Sequence, residues 1–356
     1  MPDSQPKVSV SIITYNHEDY IAEAIESILG QETSFPVEIL VGEDCSPDGT
    51  RQVIEELQRQ HPGRITLRAY DENVGAGQNY LDGLAGARGE YIATLDGDDH
   101  WVSPHKLARQ VALLEANPEL SMCFHAVIES DGTDAAIAYP QERKSRYELR
   151  DLAEWIGINQ SSILLRASAR PEPIPDWFRD CPFGDWPTYV LWAQRGPIGY
   201  IDEVLGLHRL HGGGVWSSMR ADRVAALEKN VSMIGTLLEH VAEPEERDWF
   251  VAVRARRFYD IAHELVDEGR RRDARAYVRR AWSDTGVYDR RVYRLEPFKF
   301  VLKYLCPPLE RSLRSLKRRL RPGSPLRVPL DPADLAAIER DAFPVSESDR
   351  AASDAP

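Results

Sequence analysis

Apolar positions along the first 130 or so residues follow two alternating rhythms. Val8-Ser9-Val10-Ser11-Ile12-Ile13 is a β-branched run that predicts a buried strand. From Ile21 to Leu29 the period changes, and Ile21, Ala24, Ile25 and Ile28 share one helical face. Val37-Glu38-Ile39-Leu40-Val41 predicts a second strand, and Thr50 to Gln60 a second helix with Val53, Ile54 and Leu57 inward. Ile65-Thr66-Leu67-Arg68-Ala69 predicts a third strand, Asn79 to Ala87 a short helix, and Tyr91-Ile92-Ala93-Thr94-Leu95 a fourth strand. Strands alternating with helices in this way predict βαβ units and an α/β fold on a parallel sheet. Each strand runs out into polar residues: Thr14-Tyr15-Asn16, Glu43-Asp44, Asp71-Glu72-Asn73 and Asp96-Gly97-Asp98-Asp99. Ligands of such sheets bind outside the carboxyl ends of the strands, so these four ends predict one binding edge.

The last of those ends carries the strongest chemistry. Three carboxylates within four residues repel one another, and a divalent cation relieves that repulsion. Hard oxygen ligands suit Mg²⁺ or Mn²⁺, and a cation held there can neutralise a diphosphate. An acidic turn capping the next helix would use the same residues.

Beyond this region the pattern loosens. Residues 130–150 read as a charged loop, and 151–217 as a mixed segment rich in aromatics. Between about 220 and 285 the pattern is helical. Ile261, Leu265 and Val266 before Gly269, with Ala274, Tyr277, Val278 and Ala281 after it, predict one helical hairpin of the tetratricopeptide kind, read as a packing appendage. Residues 299–327 carry nine Lys and Arg against one acid, with Leu309, Leu313, Leu316 and Leu320 at helical spacing. Such a basic amphipathic helix suits peripheral contact with an anionic membrane, or packing on the protein's own acidic body. From 328 onward, seven acids among Ala, Pro and Ser predict a tail without fixed structure.

Composition narrows the class. The 356 residues are 42% hydrophobic and 28% charged, as in a globular protein, and the net charge of -13 argues against nucleic acid as a partner. Cys45, Cys123, Cys181 and Cys306 lie far apart without CxxC spacing, so neither a zinc site nor a disulfide framework is expected. The N-terminal residues lack a signal pattern, and no apolar stretch approaches a membrane span. The expected location is cytoplasmic, with the basic helix allowing a peripheral position at the inner membrane face.

Taken together, several segments resemble glycosyltransferase family 2. They are Val10-Ser11-Ile12-Ile13-Thr14-Tyr15-Asn16, Ala24 to Gln31, Glu43-Asp44-Cys45-Ser46-Pro47-Asp48-Gly49-Thr50, Asn73-Val74-Gly75, Ala87-Arg88-Gly89-Glu90-Tyr91-Ile92 and Leu95-Asp96-Gly97-Asp98-Asp99. Order and spacing both fit, over residues 7 to about 125. The resemblance implies a GT-A fold and a nucleotide diphosphate-sugar donor. Thr14 and Tyr15 would line the nucleotide pocket, and Asp44, with Glu43 nearby, would accept a hydrogen bond from a base such as uracil. Asn73 and Arg88 would lie near the diphosphate and sugar, Asp96 would contact ribose or sugar, and Asp98 would ligate the metal.

The second half resembles the family less closely. Phe183-Gly184-Asp185-Trp186-Pro187-Thr188 occupies the place of the family's catalytic base, with Gly184 where a Glu is commoner. Asp185, partly desolvated between aromatics, is the expected base, and it would also N-cap a helix from Pro187 to Gln194. Leu207-His208-Arg209-Leu210-His211 resembles the segment that closes the catalytic domain, with His208 in place of the usual Tyr and His211 as a second metal ligand. Three glycines follow, so Trp216 is expected as an acceptor-side lid, and Trp101 as packing beneath the acids or a wall on the sugar side. Asn159-Gln160-Ser161-Ser162 would offer hydrogen bonds to an acceptor, or form a plain turn.

The resulting expectation is a GT-A catalytic domain over residues 1–218 on a mixed, mainly parallel sheet, a helical extension over 219–327 and an acidic tail over 328–356. The expected activity is metal-dependent, inverting transfer from a nucleotide diphosphate-sugar, UDP-linked, to a glycan or lipid-linked acceptor hydroxyl, in surface polysaccharide or glycolipid synthesis. A homo-oligomer is compatible with this reading. Two alternatives stand beside it: a non-catalytic sugar-nucleotide-binding subunit, and a sugar nucleotidyltransferase. The second is disfavoured by Thr14-Tyr15-Asn16-His17, where a Gly-rich basic loop would be needed.

Overall fold

A computed structural model describes residues 5–140, 142–153, 157–181, 184–211, 222–240, 244–285, 326–330, 335 and 338. The N-terminal half runs β1 (Val8–Thr14), α1 (Ile21–Leu29), β2 (Val37–Glu43), α2 (Thr50–Gln60), β3 (Ile65–Ala69), α3 (Ala76–Gly86), β4 (Tyr91–Asp96), β5 (His100–Trp101) and α4 (Lys106–Ala116). It continues through β6 (Met122–Ser130), β7 (Ala135–Tyr139), β8 (Arg146–Tyr147), α5 (Leu149–Ala153), β9 (Leu164–Arg166), α6 (Asp185–Ala193) and β10 (Ile198–Arg209). Helices α7 (Arg223–His240), α8 (Pro244–Asp267) and α9 (Arg271–Thr285) follow, then strand β11 (Leu326–Leu330).

The described strands form one mixed sheet in the order β11-β7-β6-β9-β4-β1-β2-β3, with β10 against the other side of β6. Its long ladders are parallel: β3-β2-β1-β4, joined by crossover helices, and β6-β10. Shorter antiparallel ladders through β9 stitch the two together. Strand β1 is the axis. Its Val8, Val10 and Ile12 are fully buried and its Ser9 and Ser11 nearly so, because helices cover both faces. One face packs on α1, α2 and α4 through Ile25, Ile54 and Leu107; the other packs on α3 and α6 through Leu84, Ile92 and Trp192.

The helices expected early are present, with one shift. Helix α3 begins at Ala76 rather than Asn79, because Gly75 turns the chain at φ 85, a backbone that a side chain would strain. The segment expected as a charged loop, 130–150, holds β7 and β8. Asp131 closes the β6–β7 turn by accepting hydrogen bonds from the backbone N–H groups of Thr133 and Asp134.

The helical hairpin is present. Helix α8 ends at Gly269 (φ 80), Arg270 N–H returns to Leu265 O at 2.7 Å, and Ile261, Leu265, Ala274 and Ala281 are fully buried between α8 and α9. Helix α7 and the start of α8 join the core beneath the sheet: Met233, Leu237 and Phe250 share a cluster with Tyr80, Phe124 and Trp186. Strand β11 straddles the expected boundary at 327/328, so residues 328–330 have regular structure, and Leu330, Leu335 and Ile338 pack near Val102, Ile128 and Leu207. The rest of the basic segment and of the acidic tail lies outside the described residues. Among those described, no helix is long and apolar enough to cross a membrane.

Candidate functional site

Parallel register brings the polar strand ends together: Thr14 pairs with Glu43, and Ile13 with Asp96. The acidic loop begins there. Gly97 N–H donates to Ile13 O at 2.9 Å, and Asp99 N–H to Asp96 O at 3.0 Å. A Cβ on Gly97 would lie 2.5 Å from Thr14 Oγ1 and 2.9 Å from His17 Nδ1, so a bare glycine lets the acids approach β1.

The three carboxylates have separate environments. Asp99 is buried and accepts hydrogen bonds from the Ser161 hydroxyl, from Arg209 N–H at 2.9 Å and from His208 Nδ1 at 3.1 Å. Burial pushes its carboxyl up, but the His208 charge and these donors outweigh burial and hold it below the usual range. Burial likewise lowers the His208 imidazole, yet Asp99 raises it to about 9, which makes the two a buried ion pair at neutral pH. Asp96 accepts from Gln160 Nε2 at 3.0 Å; burial first, then the charges of Asp99 and Asp98, push its carboxyl well above the usual range. Asp98 is half-buried, with Oδ2 2.8 Å from His211 Nε2 and 3.7 Å from His17 Nε2. The ligand atoms of His17, Asp98 and His211 all lie within 4.8 Å of one another, which fits a divalent cation. Burial keeps the His17 imidazole below its ordinary range, so it is neutral, as a ligand must be.

Other expected residues sit at strand and helix ends. Asp44 accepts from Val74 N–H at 2.7 Å and Gly75 N–H at 3.0 Å, while Asn73 Nδ2 donates to Asp44 O at 3.2 Å. Asp44 thus clasps the loop after β3 against the end of β2. Tyr15 is 46% exposed, leaving its ring open to a ligand. Asn16 and Cys45 adopt positive φ (60° and 56°), concentrating backbone strain at these strand ends. Asp185 opens α6, whose N-cap is Gly184; the helix starts two residues earlier than expected, and Asp185 Oδ1 accepts from Trp186 N–H at 2.7 Å. Burial pushes the Asp185 carboxyl up, and its charge is felt at Asp96, Tyr80 and Tyr189. Asp185 therefore shares the electrostatic environment of the strand-end acids.

Several expected residues are engaged elsewhere. Arg88 precedes β4, so it sits at the opposite end of the sheet, where its guanidinium pairs with Glu38 at 2.6 Å beside a cavity of about 340 Å³ between β2, β3 and α3. Glu43 is fully buried, with its carboxylate taken by Arg51 Nε and Ser46 N–H, each at 2.6 Å. Thr14 is buried, and its hydroxyl lies 3.2 Å from His17 Nδ1. Trp101 is fully buried beneath the acids: its indole N–H donates to Ser161 O at 3.0 Å and Lys106 Nζ lies 3.7 Å over its ring, so it forms neither lid nor acceptor wall. The Asn159–Ser162 turn is turned inward, with Gln160 on Asp96 and Ser161 on Asp99. Trp216 and Phe183 lie outside the described residues.

The expectations missed two residues. His17 lies three residues beyond the strand end, and only the return of the chain toward Asp98 makes it a candidate ligand. Arg209 anchors the acidic loop, donating to Asp98 O and Glu23 Oε2, each at 2.6 Å, with its guanidinium 4.7 Å over Tyr20.

Comparison with known proteins agrees with this architecture. Residues 9–168 match the family model described as Glycosyl transferase family 2. The uncharacterised protein Rv1520 of Mycobacterium tuberculosis is 34% identical over 218 residues, covering 61% of this chain and 62% of that protein. The chain thus spans less than two thirds of that relative's length. TuaG of Bacillus subtilis, a putative teichuronic acid biosynthesis glycosyltransferase, is 35% identical over 135 residues, 37% of this chain and 52% of TuaG. Among solved structures, residues 1–349 of TarS from S. aureus superpose with a TM-score of 0.58 at 18% identity, over 84% of this chain and 87% of that one, a likeness of fold. Residues 9–168, with their GT-A sheet and converging strand ends, carry the glycosyl transferase family 2 match.

Proposed function

We propose that the chain is a metal-dependent, inverting glycosyltransferase that uses a nucleotide diphosphate-sugar, UDP-linked, as donor. The observation that carries the reading is the presence of a half-buried Asp98, flanked by two imidazoles, and a half-buried Asp185 whose carboxyl is pushed up. Tyr15 offers its ring to the base or ribose, and Asp44 and the loop it clasps form the nucleotide edge. Gln160 orients Asp96 toward the sugar. His17, Asp98 and His211 would hold Mg²⁺ or Mn²⁺, which when bound neutralises charge on the departing diphosphate.

Asp185 takes the proton of an acceptor hydroxyl. The hydroxyl oxygen forms its bond to the anomeric carbon from the face opposite the nucleotide. The anomeric carbon–oxygen bond to the diphosphate breaks, its electron pair leaves with the nucleotide, and the configuration inverts. A carboxylate desolvated enough to raise its pKa is the stronger base, and holding acceptor and donor in line removes much of the barrier. The acceptor is a glycan or lipid-linked hydroxyl in surface polysaccharide synthesis, a setting supported by the likeness to TuaG.

The Asp185→Asn enzyme is expected to bind UDP with unchanged affinity and to lose transfer by about 10²–10⁴-fold. Turnover near that of the wild type would remove Asp185 from the base role. UDP binding with no donor turnover in the wild type would favour the binding-subunit alternative.

A further inference from the structure

We infer that His17 is a third protein ligand of the cation site, and that with His211 it makes the site selective for Mn²⁺ over Mg²⁺. The inference rests on the reading that a cation binds at Asp98. His17 is held as a ligand should be. Its backbone N–H donates to Thr50 Oγ1 at 2.9 Å, and its Nδ1 lies 3.2 Å from Thr14 Oγ1. With Nδ1–H directed at that hydroxyl, the lone pair is on Nε2, the atom facing Asp98 Oδ2 at 3.7 Å. A partner on the far ring nitrogen that fixes tautomer and orientation is a recurrent feature of metal-binding histidines.

The opposite side is held as firmly. Arg209 fixes the Asp98 backbone, and the Tyr20 ring lies 5.2 Å from the His211 ring and 6.5 Å from the His17 ring. Three donor atoms within 4.8 Å can cap one face of a cation, since ligands at bond lengths of about 2.1 Å and right angles sit about 3 Å apart. Two imidazoles and one carboxylate leave the remaining positions open.

This donor set discriminates by chemistry. Mg²⁺ prefers oxygen ligands in a nearly ideal octahedron and gives up water reluctantly. Imidazole suits transition metals, and Mn²⁺ combines tolerance of imidazole with affinity for carboxylate and diphosphate oxygens. Removing one imidazole therefore weakens Mn²⁺ more than Mg²⁺.

The test uses the full chain with MnCl₂ or MgCl₂ alone, measuring affinity by calorimetry and nitrogen coupling by pulsed electron paramagnetic resonance on the Mn²⁺ form. Wild type should bind Mn²⁺ at least about tenfold more tightly than Mg²⁺, and show coupling from two imidazoles. His17→Gln should lose about 10–100-fold in Mn²⁺ affinity and one imidazole coupling, with Mg²⁺ binding nearly unchanged. Thr14→Val should retain both couplings with a smaller loss, which separates orientation from ligation. Metal-free melting curves of each variant report folding. Two imidazole couplings in His17→Gln, or equal wild-type affinity for the two cations, would overturn the inference. Absence of Mn²⁺ binding in wild type would overturn the cation reading as well, so the two failures are distinguishable.

Discussion

Alkaline pH should dismantle the buried pair beneath the acidic loop before it affects the rest of the core. His208 is raised from 6.5 to about 9 by Asp99, so folding favours its protonated form. A group raised on folding contributes its full stability below the unfolded pKa, here about 6.5, and loses it as pH rises through about 9. The full effect is about 3 kcal/mol; most of it remains at pH 7, and almost none at pH 10. Asp99, held below the usual carboxylate range, stays ionised throughout this window. The perturbation is His208→Gln, which removes the titration but keeps a hydrogen-bond donor beside Asp99. Urea unfolding at intervals from pH 7 to 10, in chelator, should show wild type losing about 2–3 kcal/mol more than the variant. Parallel pH profiles, within about 0.5 kcal/mol, would refute the ion pair.

Two further substitutions probe the loop and the sheet's other end. Gly97→Ala places a Cβ 2.5 Å from Thr14 Oγ1 and 2.7 Å from Thr14 Cβ; it should cost about 1–3 kcal/mol in urea unfolding and weaken Mn²⁺ binding, and a neutral result would mean the loop yields easily. Arg88→Ala should leave the donor KM and kcat unchanged, because its guanidinium is committed to Glu38 far from the strand ends; a raised KM would contradict that placement.

The architecture was legible wherever one face of an element is buried in regular fashion. Strands β1 to β4 and the α1 face stand out because β-branched runs and i, i+3, i+4 spacing leave few other ways to bury Ile12, Ile25 or Ile92. Strand β7 was not legible: Ala-Ala-Ile-Ala-Tyr is only half-buried and lies amid charged residues. Within the site, Asp96, Asp98, Asp185 and His211 stand out in sequence as candidates because each lies at a strand or helix end or in a family-like motif, whereas Asp44, expected to meet a base, is buried with both carboxylate oxygens on Val74 and Gly75 N–H. Burial decided the misassignments. Glu43 and Trp101 look like ligand contacts in sequence, but the chain supplies their partners itself, in Arg51 and in Ser161 with Lys106. Arg88 could have been excluded from order alone, since a residue before a parallel strand sits at its amino end. His17 needed the fold, because its role depends on a loop from β4 returning to β1 and a segment after β10 bringing His211.

The most direct test of the central claim is the thermal midpoint of the full chain with UDP, GDP and ADP, each with and without Mn²⁺. Ligand at about a hundredfold over Kd adds about 2.7 kcal/mol, which for 356 residues raises the midpoint by about 4 °C. A UDP shift that requires Mn²⁺ and vanishes in Asp98→Ala is the expected result. A shift with no nucleotide, or a UDP shift unchanged in Asp98→Ala, would contradict the account.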